Sequence, residues 1–393
     1  MIQTSFIPSV HALARDEWNT LAGDSFPFLR HEFLAALEDS GSVGGASGWE
    51  THHLVLRAGA RVLALMPCYL KTHSYGEYVF DWAWADAYQR NGLDYYPKLL
   101  SAVPFTPATG PRLLVAPDIQ TQSLIPTIVG SLRAEMGRRC ASSWHLLFPE
   151  SVLADAFAAQ GCEQRSGVQF HWINRGYRNF EDFLARLVSR KRKSLRRERR
   201  EVREQGLEIE ALRGTDISRA LWDRFYLFYQ TTYARRSGHG GYLRREFFHR
   251  LGATMPDRLL LVIARHGGEP VAGALNIIGH DTLYGRYWGC TEEFTHLHFE
   301  TCYYQGIDFC IREGLRRFDA GAQGEHKLAR GFEPVLTRSC HLIGHPGFRT
   351  AIHDFLERER EATESYLHEA WLALPYRKQE DGSPSIALPI EPL

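Results

Sequence analysis

The chain has 393 residues, its formal net charge is +0, and 44% of its residues are hydrophobic and 12% aromatic. A neutral protein has no overall field that attracts nucleic acid, so contact with a polyanion must come from a local group of basic side chains. Seven cysteines without a Cys-x-x-Cys pair exclude a zinc or disulfide framework. The length exceeds what one hydrophobic core usually supports, which favours two domains, 1–165 and 166–393.

The composition is that of an ordinary globular protein. Residues 1–6 lack the basic and apolar regions of a signal peptide, and no segment approaches the roughly 18 uninterrupted apolar residues of a membrane-spanning helix. We therefore expect a cytoplasmic protein without a membrane span.

Strand and helix patterns alternate along the chain, with one run of hairpins. This order predicts an α/β fold in which a mixed twisted sheet is flanked by helices on both faces. The predicted elements of the first half are strands 2–7, 52–57, 62–70, 75–84, 112–115 and 143–148, and helices 10–21, 26–37, 95–100, 119–139 and 151–160. Those of the second half are strands 169–174, 207–212, 258–264, 270–278, 282–290, 315–318 and 337–343, and helices 180–204, 217–232, 244–253, 301–313 and 348–372.

The predicted strand 75–84 combines aromatic and acidic residues. Aromatic side chains favour strands and usually bury in a core. Acidic side chains interleaved with indoles also suit a polar cleft. We therefore name Tyr75, Asp81 and Trp82 as candidate substrate-binding residues.

Short patterns recur in the two halves of the chain. Residues 75–78 (Tyr-Gly-Glu-Tyr) recur as 284–287 (Tyr-Gly-Arg-Tyr), 95–96 as 303–304, and the turn at 57–59 as that at 265–267. Because the order and the spacing are nearly constant, they predict two copies of one fold. In this alignment the proline-rich loop 104–111 ends where the segment 318–332 begins. Only the second copy carries titratable groups there, so we expect the chemistry in that copy and binding in the first.

The helix predicted from residue 180 onward carries a dense group of basic residues. Its apolar stripe keeps helical spacing, while residues 190–203 hold nine arginines and lysines. Such a surface suits phosphates of an RNA backbone, a nucleotide-linked substrate or coenzyme A. The alternative is a solvated face held by Arg–Glu pairs four residues apart. The candidate phosphate-binding residues are Arg190, Lys191, Arg192 and Arg196.

Histidines and acids follow the strands of the second half. His296, His298 and Glu300 could serve as metal ligands, but no flanking spacing supports this and we predict no metal site. We assign His298 and Glu300, with Arg286 and Tyr287 of the preceding strand, to substrate binding.

The segment 318–332 is the predicted reactive centre. It places an amide, two carboxylates, an imidazole, an ammonium and a guanidinium around three glycines, directly after a strand. Glycines allow sharp turns and close approach to a ligand, and polar groups on a loop at a strand end usually serve a site. The alternative is a surface turn with solvated charges. The candidate catalytic residues are Asp319, Gln323, Glu325, His326 and Lys327.

Three segments of the chain are similar to the FemAB-like N-acyltransferases: residues 71–84, the basic run 190–193, and residues 321–332. The resemblance implies two tandem GNAT-type domains. Fem-type relatives transfer amino acids from aminoacyl-tRNA to amines of cell-wall precursors, and the resemblance gives Lys327 the role of stabilising the reacting carbonyl. Segment 318–332 also resembles the site of aminoacyl-tRNA–protein transferases, where the matching residues are Asp319, Gln323, Glu325 and His326.

One segment departs from the acetyl-CoA-dependent members of the GNAT class. Their glycine-rich loop holds a pyrophosphate on backbone N–H groups, whereas residues 290–299 here contain no glycine and are acidic. We therefore expect aminoacyl-tRNA as co-substrate, with no permanently bound cofactor, and a small-molecule amine or cell-envelope precursor as acceptor. Glu325 or Asp319 would accept the amine proton, with His326 and Gln323 orienting. The alternatives are an acyl-CoA-dependent N-acetyltransferase, a non-enzymatic RNA- or precursor-binding protein, and a hydrolase that uses Cys302 or Cys340.

Overall fold

The computed structural model describes residues 2–322, 324–379 and 384–386, and the chain forms two compact units. The first unit contains residues 2–168 and 336–366, and the second contains the described residues of 169–335 and 367–390. The chain passes from one unit to the other inside two strands, Glu163–Ile173 and Glu333–Ile343. The predicted domains 1–165 and 166–393 stay a prediction.

The first unit is built from short strands and five helices that precede residue 168. The strands are β1 (Ile2–Ile7), β2 (Trp49–Thr51), β3 (His53–Ala58), β4 (Arg61–Met66), β5 (Tyr69–Lys71), β6 (Lys98–Ser101), β7 (Leu114–Val115), β8 (Ser143–Leu147), β9 (Glu163–Ile173) and, much later in the chain, β15 (Glu333–Ile343). One sheet has the order β1-β3-β4-β7, and strands of a second sheet follow one another in the order β2-β5-β6-β8-β15. The helices are α1 (Arg15–Ala22), α2 (His31–Asp39), α3 (Trp82–Arg90), α4 (Thr121–Arg138) and α5 (Ser151–Ala158).

The strands of the second unit are β10 (Leu207–Arg213), β11 (Leu259–His266), β12 (Glu269–Ile278), β13 (Thr282–Cys290) and β14 (Arg317–Asp319). With β9, they follow one another in the order β10-β11-β12-β13-β14-β9. Its helices are α6 (Phe180–Arg186), α7 (Ser189–Glu204), α8 (Arg219–Ser237), α9 (Arg245–Thr254), α10 (Leu297–Phe299) and α11 (Gln305–Glu313), with a π-helical turn, Glu300–Tyr304, between the last two. The final helix, α12 (Pro346–Leu372), follows β15.

Each unit contains the same succession of elements. A first strand pairs antiparallel with a hairpin, in β1-β3-β4 and in β10-β11-β12. A parallel β–helix–β crossover follows, from β6 to β8 and from β13 to β14. The second strand of each crossover pairs antiparallel with a strand from elsewhere in the chain, β15 or β9. The predicted fold class, α/β with two tandem GNAT-like units of mixed sheet and flanking helices, is confirmed.

The predicted alignment of the two copies is correct at the hairpin turns and wrong beyond them. Residues 284–287 lie on β13, whose counterpart in the crossover is β6, whereas residues 75–78 lie in an irregular loop. Segment 318–332 corresponds to the chain after β8, not to loop 104–111. The first unit inserts residues 72–97 between its hairpin and its crossover, and short aromatic patterns do not reveal such an insertion.

Two local predictions in that insertion are also wrong. Residues 75–84 form a loop and the start of α3, because Trp84 and Tyr88 bury at helical spacing beside Ile352 and Leu356. Residues 98–101 form a strand instead of a helix, with Leu99 and Leu100 both fully buried. Successive buried residues are typical of a strand covered on both faces. None of the helices in the described ranges is both long enough and apolar enough to cross a membrane.

Candidate active site

Strands β13 and β14 separate at the edge where the polar segment begins. They pair in parallel only from Thr282–Arg317 to Tyr284–Asp319, and β13 continues to Cys290 while β14 ends. In open α/β sheets, ligands bind where adjacent parallel strands part at their carboxyl ends. Gly285 lies at this point, and a Cβ there would be 3.2 Å from the Phe318 ring. The chain after β14 therefore enters an opening between two strands.

Asp319 is the last residue of β14 and the centre of a buried ion pair. Its carboxylate accepts hydrogen bonds from Arg286 at 2.6 and 3.3 Å and from the Gly321 N–H at 2.9 Å, and His171 on β9 lies 3.7 Å away. Burial alone would raise the pKa of this carboxyl, but Arg286, His171 and the N–H hold it well below its usual range. Burial lowers the pKa of His171 to about 4. Asp319 is thus a fixed anion that positions the following turn.

Lys327 is buried in the opening, with 1% of its surface exposed. It lies in the 3-10 turn Glu325–Arg330, and its ammonium donates to the carbonyl of Gly321, whose N–H donates to Asp319. Burial lowers the pKa of Lys327 to about 8, with Asp319 opposing that effect and Arg286 adding to it. At neutral pH the site therefore holds an ammonium in a dry environment.

Two glycines shape this turn. Gly324 precedes it with φ of 112° and Gly331 ends it with φ of 83°, values that other residues rarely adopt. A Cβ on Gly324 would lie 2.6 Å from the His326 ring, and one on Gly331 would lie 2.9 Å from Phe183. The sharp turns expected from the sequence are present. Gln323 lies outside the described residues.

His326 extends the site toward α10 and the π-helical turn. Its Nε2 lies 2.8 Å from the hydroxyl of Tyr303, and its ring is 6.0 Å from that of His298. Burial, followed by the charges of Arg330 and Lys327, lowers the pKa of His326. Burial likewise lowers the pKa of His298 to about 3. Both imidazoles are therefore neutral beside the Lys327 ammonium.

Arg330 ties the Lys327 turn to the basic helix α7. Its guanidinium donates to Glu198 at 2.9 Å, to the Tyr304 hydroxyl at 3.0 Å and to the His326 carbonyl at 2.9 Å, and it lies 3.4 Å above the Phe299 ring. Arg330 and Glu198 are both buried. A buried pair with well-placed hydrogen bonds holds its elements in one geometry. No local sequence pattern indicates this pair, because its members lie 132 residues apart.

Arg236 is another residue of the site that the sequence pattern does not indicate. It lies exposed on the last turn of α8, and in the described ranges it forms no ion pair. The pKa of His298 is lowered first by burial, then by the charge of His326 and then by the charge of Arg236. The charge of Arg236 also lowers the pKa of His326. The site therefore gathers cations, with Arg236 at its edge.

The basic helix uses only some of its charges inside the protein. Arg199 binds Glu300 at 3.0 and 3.1 Å, and Arg196 pairs with Glu181. Two further pairs join residues four apart on the helix, Arg197 with Glu201 and Arg200 with Glu204. Within residues 2–322, 324–379 and 384–386, the side chains of four consecutive residues in the first turn form no ion pair: Arg190, Lys191, Arg192 and Lys193.

The remaining candidate residues are not brought together. Glu325 is exposed at the start of the Lys327 turn, and Tyr287 is buried on β13 against Tyr229. Glu300 binds Arg199, which gives it a structural partner. The other three candidates lie in the first unit: Tyr75, Asp81 and Trp82.

The corresponding strand edge of the first unit is closed. Gly110 forms a parallel bridge with Pro149, so the chain after β6 stays beside the chain after β8. Arg112 is 1% exposed, and its guanidinium donates to the carbonyls of Gly110, Ala108 and Leu147. The carbonyls at this edge are thus satisfied by a buried arginine. In the part of the chain that the structure describes, an opening with titratable groups occurs at this position in the second unit and not in the first.

Comparison with known structures agrees with this architecture. FemX has 11% sequence identity over 87% of this chain and 98% of its own, with a TM-score of 0.53. The C-terminal domain of a putative lysylphosphatidylglycerol synthetase from Agrobacterium fabrum has 10% identity over 86% and 94%, with a TM-score of 0.50. A conserved protein of unknown function from Bacteroides thetaiotaomicron has 13% identity over 87% and 100%, with a TM-score of 0.51. At these identities the likeness concerns the fold.

Sequence comparison identifies the family. No curated protein matches the chain. The family described as FemAB-like, peptidoglycan biosynthesis/recognition, matches residues 9–378. With this match over most of its length, the chain belongs to the FemAB-like family.

Proposed function

We propose that this protein is a cytoplasmic acyltransferase that moves an aminoacyl group from aminoacyl-tRNA to an amine of a small molecule or cell-envelope precursor. The observation that carries the proposal is the buried ammonium of Lys327, held by the Gly321 carbonyl where β13 and β14 part. The family's role in peptidoglycan biosynthesis or recognition supports an acceptor of the envelope type.

The reaction requires stabilisation of a developing oxyanion. The acceptor nitrogen attacks the ester carbonyl, a C–N bond forms, the ester C–O bond breaks, and the ribose hydroxyl leaves with a proton. An ammonium has three hydrogens, and Lys327 uses one of them on Gly321. The others can donate to the oxyanion in a site that excludes water, where such a charge is most effective.

The proton of the attacking amine needs an acceptor. Asp319 is disfavoured, because Arg286 and Gly321 already occupy its oxygens and its pKa is held low. Glu325 is exposed at the start of the Lys327 turn and is the better candidate. His326, which is neutral and hydrogen-bonded to the Tyr303 hydroxyl, would orient the acceptor. We propose the same role for Gln323.

The donor's phosphates would bind the unpaired basic residues 190–193. Phosphate contacts from arginine and lysine supply most of the affinity for nucleic acid without reading its sequence. Ligand binding is the role we also propose for Arg196 and Arg286, which contribute positive charge, and for Tyr287, His298 and Glu300.

An acyl-CoA donor is the second candidate, and the β13–α10 loop disfavours it. The Thr291 N–H donates to the Val271 carbonyl at 2.9 Å, and the Thr295 N–H donates to Gln205 at 3.0 Å. Glu292 and Glu293 are exposed on the same loop. A diphosphate would therefore meet carboxylates and engaged N–H groups at the place where a helix start usually favours anions.

The cysteine hydrolase is also disfavoured. Burial raises the pKa of Cys302 to about 12, and burial raises that of Cys340 as well. A thiol nucleophile reacts as the thiolate, which these environments suppress. A non-enzymatic binding protein would give no reason for a buried lysine in the strand opening.

The test separates donor, acceptor and catalytic residue. Purified protein is incubated with tRNA charged with radiolabelled amino acids, or with labelled acetyl-CoA, each with and without a pool of amines and muropeptide precursors. We expect amine-dependent loss of label from tRNA. Lys327→Met, which keeps the length of the side chain, should lower the rate about 10²–10³-fold, as for loss of one oxyanion donor. Arg61→Ala, at an exposed pair in the first unit, should leave the rate unchanged.

Wild-type turnover in Lys327→Met would overturn the role of this lysine. Amine-dependent release of thiol from acetyl-CoA, with charged tRNA untouched, would instead support the second candidate. Binding of tRNA without transfer to any amine would favour the non-enzymatic alternative.

A further inference from the structure

Three strongly exposed aromatic side chains lie within eight residues of the first unit. Tyr75 is 56% exposed, Phe80 59% and Trp82 39%. The rings of Tyr75 and Trp82 are neighbours, with centroids 5.1 Å apart and planes inclined by 59°. Single exposed apolar residues are common, but a group of them marks a binding surface. We call the neighbouring rings of Tyr75 and Trp82 the aromatic platform, with Phe80 exposed on the same loop.

The backbone beneath the platform is held by buried charges. Lys98 is fully buried, and its ammonium donates to Ser74 and Glu77, each at 2.8 Å, and to Asp81. Asp81 immediately precedes Trp82 and also accepts from the Tyr95 hydroxyl at 2.6 Å. Removing so many charges from water has a high free-energy cost, which close pairing offsets. The loop is therefore fixed in one conformation although its aromatic side chains face solvent.

Further contacts hold each end of the loop. Lys71, also fully buried, donates to the Tyr75 carbonyl at 3.2 Å. Arg165 donates to the Phe80 carbonyl at 2.7 Å. Gly76 has φ of 81°, and a Cβ there would lie 2.6 Å from the Phe105 ring. A platform held in this way loses little conformational entropy when it binds a ligand.

Polar side chains stand beside the platform on helix α3. Residues 82, 86 and 89 share one face of the helix, because positions three and four apart are neighbours. That face presents the Trp82 ring together with the Asp86 carboxylate and the Gln89 amide, all of them exposed. In the described residues, the Asp86 and Gln89 side chains form no hydrogen bond or ion pair. Aromatic rings beside a free carboxylate and a free amide match the C–H face and the hydroxyl groups of a sugar ring.

We propose that the aromatic platform, with Asp86 and Gln89, binds a saccharide ring of the acceptor. This inference rests on the proposed function, since it assigns the glycan part of an envelope precursor to the first unit. The two neighbouring rings of Tyr75 and Trp82 offer a surface of about the size of one sugar ring. A stable protein partner would need about 800 Å² on each side, and the flanking surface residues Asp86, Gln89 and Arg90 are polar.

The test measures binding to the full chain without any donor. The probe is chitotriose, a β-1,4-linked trimer of N-acetylglucosamine, titrated by isothermal calorimetry. We expect saturable binding by the wild type and a loss of affinity of about tenfold or more in Tyr75→Ala and Trp82→Ala. Phe355→Ala, which removes another exposed aromatic residue of the first unit, should bind like the wild type. Trp82→Phe keeps a ring and should bind with intermediate affinity.

One further variant and one further probe separate the possible failures. Lys327→Met should bind chitotriose normally, so loss of transfer with retained binding would count against the proposed reaction and leave the platform standing. Absence of chitotriose binding by the wild type, or equal binding by Tyr75→Ala, Trp82→Ala and the wild type, would overturn the platform. Displacement of chitotriose by a sugar-free muropeptide stem would also overturn it, in favour of a peptide ligand.

Discussion

Arg286 on β13 donates to the carboxylate of Asp319 on β14, at 2.6 and 3.3 Å, where the two parallel strands separate. Both side chains are almost completely buried, so each is the other's counter-ion. The same carboxylate accepts from Gly321, and the Gly321 carbonyl accepts from Lys327. The ion pair therefore sets the position of the lysine on which the proposed reaction depends.

Breaking that pair should destabilise the protein strongly. Asp319→Ala leaves the Arg286 guanidinium buried without its partner, which typically costs about 3–5 kcal/mol. The measurement is the free energy of unfolding from urea titration. Asp118→Ala is the control, because Asp118 pairs with Arg61 in solvent and such pairs contribute about 0–1 kcal/mol. Equal effects of the two substitutions would contradict the structural role of Asp319.

The transfer rate should depend on the protonation of Lys327. Burial lowers its pKa to about 8 from an ordinary 10.5, so the ammonium is lost as the pH rises above about 8. If the ammonium stabilises the oxyanion, the rate in the presence of saturating substrates should fall about tenfold per pH unit in that range. Initial rates between pH 6 and 10, corrected for spontaneous ester hydrolysis, provide the measurement. A rate that rises with pH in the wild type but not in Lys327→Met would instead indicate that the neutral Lys327 amine acts as a base.

The same pKa has an effect on stability that serves as a control. Between about pH 8 and 10.5 the unfolded lysine binds more protons than the folded one, so the folded state gains stability as the pH rises. As the pH rises through this range, the wild type should therefore gain unfolding free energy relative to Lys327→Met, by on the order of 3 kcal/mol at most. A difference that does not change with pH would show that Lys327 has an ordinary pKa.

The buried pair between Arg330 and Glu198 should support both stability and activity. Glu198→Ala leaves Arg330 unpaired beneath the Lys327 turn, so we expect a loss of about 3–5 kcal/mol and a lower transfer rate. Glu201→Ala, on the same helix but half-exposed, should change stability by about 1 kcal/mol or less. Urea unfolding and initial rates test both variants. A Glu198→Ala protein with the properties of Glu201→Ala would contradict the anchoring role.

The unpaired basic residues should dominate tRNA affinity. Replacing residues 190–193 with alanine should weaken tRNA binding and reduce the slope of log affinity against log salt concentration by up to about 3. Arg197→Ala with Arg200→Ala removes two arginines of the same helix that pair with Glu201 and Glu204, and should have a smaller effect. Filter binding at several salt concentrations gives both slopes. Equal slopes for the two variants would contradict the prediction, because they would show that paired and unpaired basic residues contribute alike to tRNA binding.

Several features could be read from residues close together in the chain. The fold class follows from the alternation of strand and helix patterns, and the sharp turns follow from Gly324 and Gly331, because backbone conformation is a local property. The basic surface follows from the density of arginine on one predicted helix. The density of functional groups in 318–332 also indicated the segment that enters the strand opening.

Tertiary structure decided which of those groups act together. Pairing with Arg286 made Asp319 a fixed anion and burial lowered the pKa of Lys327, and neither effect is encoded in their spacing. The buried pair of Arg330 and Glu198 joins residues 132 apart in sequence. The insertion 72–97 in the first unit means that β6, and not the segment 75–84, is the counterpart of β13. It also places Trp82 on a helix instead of a strand. Pattern and composition report local preference, whereas desolvation and long-range pairing depend on which distant elements pack against each residue.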